Sequence, residues 1–173
     1  MIQAWHDYFG MMGAIAATLL GLLFVSVSIN ADIILGATHK HSMHLAEQAF
    51  HNYIAVVVVS LLTFYPGISN SSLGFSILLL SSLYSIRVLV RFYLSLRTPL
   101  AVESRIGAVR RYGSTLAGFL MFAIGGAQMM MDMQIQPVIA LGALVLLSSA
   151  TAISWELLVR VAETRYGANK REH

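Results

Sequence analysis

The chain has 173 residues, 57% of them hydrophobic and 11% charged, with a mean hydropathy of +0.73. A soluble domain carries roughly 25% charged residues, so this composition excludes a cytosolic enzyme, a disordered tail and an ordinary nucleic-acid-binding domain. The net charge of +3 invites a nucleic-acid partner, but the placement of the charges points to membrane topology instead.

The intervals between formal charges locate the elements. Asp7 to Asp32 encloses 24 uncharged residues, Glu47 to Arg87 encloses 39, Arg111 to Asp132 encloses 20, and Asp132 to Glu156 encloses 23. A membrane-spanning helix needs about 20 predominantly apolar residues. Three intervals therefore hold one span each. The longest holds two, divided by the turn signal Tyr65-Pro66-Gly67-Ile68-Ser69-Asn70-Ser71-Ser72, where Pro removes a donor and Gly tolerates positive φ. Five spans are expected, at about 8–35, 43–65, 72–97, 112–131 and 137–162. Runs such as Ala55–Val59 do not alternate in polarity, which excludes a β-barrel, and lipid leaves backbone groups no water to bond, so each span is a helix. Thr98-Pro99 reads as a cap followed by the first helical residue. The stretch 100–112 is then either an interfacial helix or an extension of the fourth span. The chain reads as one transmembrane domain over 1–173.

Alternating the five spans puts all 11 basic residues on one side: Lys40, Arg87, Arg91, Arg97, Arg105, Arg110, Arg111, Arg160, Arg165, Lys170 and Arg171. The positive-inside rule makes that side cytoplasmic, giving an N-terminus outside and a C-terminus inside. A four-span arrangement breaks this agreement. Affinity for anionic lipid follows from the same residues. No basic segment precedes the first apolar run, as it would in a cleavable signal peptide. Trp5 and Tyr8 have the character of interfacial anchors. The chain has no cysteine, hence no disulfide, thiolate metal site or cysteine nucleophile.

Gly13, Ala17 and Gly21 recur every four residues on the first helix, and Ser114, Gly118 and Gly126 lie on a similar face of the fourth. Small residues on one stripe let helix backbones approach. The stripe serves either packing within the chain or a homo-oligomer seam.

The opening Trp5-His6-Asp7-Tyr8-Phe9, followed by Ala16–Asn30, resembles the start of small bacterial membrane proteins, some of them labelled modulators of a membrane protease. The resemblance covers about the first 35 residues. It implies a bacterial inner-membrane setting and transfers no catalytic or binding residue.

Candidate chemistry gathers at the cytoplasmic ends of the expected helices. His44, Glu47, Gln48 and His51 share one stripe by i, i+3, i+4 and i+7 spacing. His39 and His41 precede them, Asp32 ends the first helix, Arg87 and Arg91 end the third, and Glu156 and Arg160 end the fifth. Charges at membrane depth face the protein interior and pair. Three arrangements are open to this set. It can be an ion-pair layer, with Arg87 and Arg91 on Asp32, Glu47 or Glu156. It can be a proton or cation pathway through Glu47 and His51, since histidine titrates near neutral pH. It can be a divalent metal site at His44, Glu47 and His51, with Asp32 in reach, since imidazole with carboxylate suits zinc or iron. A second cluster, Met129, Met130, Met131 and Met133 around Asp132 with Met11, Met12, His6 and Asp7 near the same side, offers soft thioethers to Cu(I) or plain apolar filling. No phosphate-binding loop and no Gly-x-Ser-x-Gly motif occurs. No cofactor is expected. The partners expected are the bilayer and a second copy or another membrane protein, with no nucleic acid. The leading expectation is a non-catalytic accessory or assembly module. The alternative is a small cation or proton channel or transporter.

Overall fold

A computed structural model describes residues 2–34, 40–97, 102–131 and 136–169. The described residues contain six α-helices: α1 (Ile2–Ile29), α2 (Ala31–Ile34), α3 (Lys40–Thr63), α4 (Asn70–Arg97), α5 (Val102–Met130) and α6 (Gln136–Asn169). Five of them are long and apolar enough to cross a membrane. The fold is thus all-helical, in the class of multi-pass membrane bundles. Several helices outrun the expected spans, because a helix need not stop where the hydrocarbon does. At 34 residues α6 is about 51 Å long, well beyond the ~30 Å of hydrocarbon.

Local chemistry explains the breaks. At the end of α1 the Asn30 side chain donates to the Ser26 carbonyl at 2.8 Å, and Ile33 and Ile34 restart the single turn of α2 on the Asn30 carbonyl. Between α3 and α4, Ile68 N–H bonds the Tyr65 carbonyl at 3.4 Å, with Pro66 and Gly67 at the corners and Gly67 at φ +78°. This is a type II turn, whose third position takes glycine because a Cβ is strained there. Ser69 caps α4, its Oγ accepting from Ser72 N–H at 3.2 Å. The interfacial-helix alternative for 100–112 fails: α5 runs unbroken from Val102, so the stretch extends the fourth span. The expected cap at Thr98-Pro99 lies outside the described residues.

The long helices pack as a row, α4 on α5, α5 on α6, α6 on α3 and α3 on α1. One end of the row holds the Pro66–Gly67 turn, with Tyr8 OH donating to the Ala140 carbonyl at 3.0 Å. The other, basic end holds the starts of α3 and α5 and the ends of α4 and α6. Although α3 and α4 are joined by a short turn, their backbones lie apart, and long side chains bridge them. One apolar cluster runs through the turn-end half around Phe9, Met12, Val56, Ile77, Phe119 and Leu146. A second, around Leu45, Tyr53, Ile153 and Leu157, ties α1, α2, α3 and α6 together toward the basic end.

Helix backbones come closest where glycines face each other. A Cβ on Gly126 would stand 2.7 Å from the Gly74 carbonyl oxygen, and one on Gly142 would stand 3.1 Å from that of Gly118. The small-residue stripe expected on α1 is only partly a seam. A Cβ on Gly13 would meet Ser60 at 2.8 Å, but Gly21 has open space around it and Ala17 is exposed. The face that packs carries Phe9, Met12, Ala16 and Leu23. A four-residue step overshoots a 3.6-residue turn by about 40°, so a strict four-residue stripe drifts off the contact face within two steps.

Candidate functional site

The stripe on α3 turns toward α4. The Glu47 carboxylate is held by Arg87 and by Arg91, the latter at 2.7 Å. Arg91 also lies 3.2 Å from His44 Nδ1. A guanidinium only donates, so Nδ1 of His44 is the unprotonated, accepting nitrogen. His51 Nδ1 lies 2.5 Å from the Glu47 backbone carbonyl, one helical turn back. A carbonyl only accepts, so here Nδ1 carries the proton and donates. The His51 ring meets Tyr84 edge-on at 5.6 Å, and Tyr84 stacks on Phe119 at 5.3 Å. The bridge between α3 and α4 leaves a cavity of about 30 Å³ beside Gln48, His51, Asn52 and Tyr84. That is room for roughly one or two waters.

A second ion-pair set joins α5 to α6. Arg111 reaches both Glu156 oxygens, at 3.2 and 3.3 Å, and Arg160 grips the same carboxylate through Nε and Nη2 at 3.2 and 3.0 Å. The Arg111 side chain is only 10% exposed. It lies 5.4 Å from the Tyr112 ring centroid, and its buried Nε has no protein partner.

Between the two sets lies a layer of hydroxyls and amides. Gln48 and Asn52 both donate to Thr115 Oγ1, at 3.1 and 2.9 Å. Thr115 shares a 3.1 Å bond with Ser149, which also bonds Ser114 at 2.9 Å. Nearby, Tyr53 OH meets Thr151 at 3.2 Å. The layer links α3, α5 and α6, and Thr115 is its hub. Sequence reasoning missed Thr115 and Asn52. The available signal was Asn52 itself, an amide heading the apolar run that continues to Val59.

The structure therefore divides what the sequence grouped. Glu47 meets Arg87 and Arg91, whereas Glu156 meets Arg111 and Arg160. Arg111 was absent from the core of the expected cluster. Asp32, expected to reach Arg87 or Arg91, is exposed on α2 and makes no ion pair among the described residues. The reason is geometric: α2 packs against α1, α3 and α6, away from the side of α3 that faces Arg87 and Arg91 of α4.

Of the three open arrangements, the metal site at His44, Glu47 and His51 is not assembled among the described residues. Among the described residues no three His, Asp or Glu side chains converge to hold an ion. The Glu47 oxygens are taken by arginines, and His51 Nδ1 by a carbonyl. The methionines divide between core and surface. Met12 and Met129 fill the core, while Met11, Met130 and Met131 face outward. Met133 and Asp132 lie outside the described residues, as does His39. The site belongs to a multi-pass helical membrane protein whose basic end is cross-linked by two ion-pair sets and a hydroxyl layer. No family model, curated protein or solved structure matches the chain.

Proposed function

We propose that the protein is a non-catalytic accessory or assembly module of the bacterial cytoplasmic membrane. Its N-terminus lies outside, its C-terminus inside, and it acts through helix packing and its basic cytoplasmic face. The observation that carries this reading is the mutual pairing of the ionisable groups: each carboxylate, Glu47 and Glu156, is taken by two arginines. Groups so paired act as a lock between helices rather than as carriers, because charge at membrane depth is costly to separate. The resemblance of the opening segment to small bacterial membrane proteins supports the setting, and the one-sided basic residues support the orientation.

A second reading is supported by the gap between α3 and α4, where a small cavity lies against His51 and Tyr84 behind the Glu47 ion pairs. Neutralisation of Glu47 would release Arg87 and Arg91 and open that closure to a proton or cation. Glu47→Gln and His51→Gln in proteoliposomes separate the readings. The lock requires a destabilised protein and no proton or cation flux in the parent. Flux in the parent, abolished in a variant that still folds, would establish the pathway.

A further inference from the structure

A groove of about 1000 Å³ runs along α6 at the basic end. Ser148, Thr151 and Ala152 line it as small side chains, leaving a depression between Leu147 and Trp155. Trp155 is 69% exposed, as an indole at a headgroup boundary is. Arg110 of α5 and Arg160 and Glu163 of α6 line the same groove. Arg160 is engaged by Glu156. Among the described residues, neither Arg110 nor Glu163 makes an ion pair. One groove thus displays a cation and an anion that no described residue ion-pairs.

The charges select the occupant. Glu156 is already held by Arg111 and Arg160, so the charges left open in the groove are Arg110 and Glu163, and a purely anionic headgroup meets repulsion from Glu163 as well as attraction to Arg110. A ligand with one charge of each sign meets neither problem. Glu163 stands three residues, about 4.5 Å, beyond Arg160 along the axis, a short step that two methylenes bridge. A carboxylate gains most from a cation that donates hydrogen bonds, which a primary ammonium does and a trimethylammonium does not. The aromatic ring that would suit a trimethylammonium, Trp155, lies eight residues, about 12 Å, deeper than Glu163.

We propose that this groove binds a phospholipid with a zwitterionic, primary-amine headgroup: phosphate on Arg110 and Arg160, ammonium on Glu163, and an acyl chain along Ser148 to Ala152. The inference rests on the membrane-spanning fold and not on the accessory reading. The full-length protein in detergent, given equal phosphatidylethanolamine, phosphatidylcholine and phosphatidylglycerol, is read by native mass spectrometry. The ethanolamine lipid is retained over the choline lipid by about tenfold, the worth of one charge-assisted hydrogen bond. Glu163→Gln brings the two to parity, Glu163→Asp restores the preference, and Arg110→Gln weakens retention of all three. Both substituted positions are exposed and make no ion pair among the described residues, and circular dichroism checks that the variants fold. Equal retention in the parent overturns the proposal. So does a glycerol-lipid preference indifferent to Glu163→Gln, or a dimer that retains no lipid.

Discussion

Glu47 sits where three cationic or ionisable side chains converge, so its charge decides more than its own solvation. Neutralising it strands Arg87 and Arg91. Breaking a buried pair costs about 3–5 kcal/mol and an exposed one is worth about 0–1. With the Arg87 and Glu47 side chains 45% and 25% exposed, Glu47→Gln is expected to cost about 1–2 kcal/mol, measured by denaturant titration in mixed micelles. Thr115→Val tests the hydroxyl layer. It keeps the shape but removes the acceptor of two amide bonds and the partner of Ser149. Buried donors left without partners cost about 1–3 kcal/mol each in the limit, while hydrogen bonds inside membrane bundles average about 0.6, so a loss of about 1–2 kcal/mol is expected. A loss no larger than that of the half-buried Ser76→Ala, which removes only a bond to its own helix backbone, would deny Thr115 its role as hub. At this scale the sequence showed which residues carry charge, but not their partners. It grouped Arg87 with Glu156 because both fall at helix ends of the same side. It overlooked Thr115 because a hydroxyl in an apolar helix usually bonds its own backbone, as Thr18 does with the Ala14 carbonyl.

Helices associate in lipid through close packing and polar contacts rather than through exclusion of water. The Gly74–Gly126 approach is therefore central to the α4–α5 contact. Gly126→Leu forces the backbones apart, since even a Cβ there meets the Gly74 carbonyl oxygen at 2.7 Å. The expected outcome is a large loss of folded protein by fluorescence-detected size exclusion, whereas Gly21→Leu, with open space around it, keeps the parent profile. If Gly21→Leu instead lowers the oligomer size with the fold intact, the exposed side of α1 is a seam between copies. The five long helices, the turn at Pro66 and Gly67 and the helical class were legible from charge-free intervals and turn chemistry. The packing face of α1 was not, because four-residue spacing only approximates the helical period.

For the whole molecule, the basic end and the turn end are distinct in composition, and the proposed orientation follows from that difference. The cysteine-free sequence gives a clean background for testing it. Ser71→Cys, at the turn end, is expected to react with a membrane-impermeant maleimide on intact spheroplasts, and Arg165→Cys, at the basic end, only after lysis. The opposite pattern reverses the proposed topology and puts the lipid groove in the outer leaflet. The packing also explains why α1 and α4 expose so much apolar surface, such as Phe24, Leu22, Leu83 and Ile86: α1 rests mainly on α3 and α4 mainly on α5, and their other faces are largely uncovered.

The sequence by itself determined the all-helical class, the five helices long and apolar enough to cross a membrane, and the turn at Pro66 and Gly67. These depend on length, hydropathy and local backbone chemistry, which act along the chain. Only the tertiary structure decided that Glu47 and Glu156 belong to separate ion-pair sets, that Asp32 stands apart from both, and that Thr115 joins three helices. It also showed that Arg110 and Glu163 share a groove without pairing. Those outcomes depend on which helices are neighbours and on their rotation about their axes. Hydropathy constrains neither when most faces of every helix are apolar.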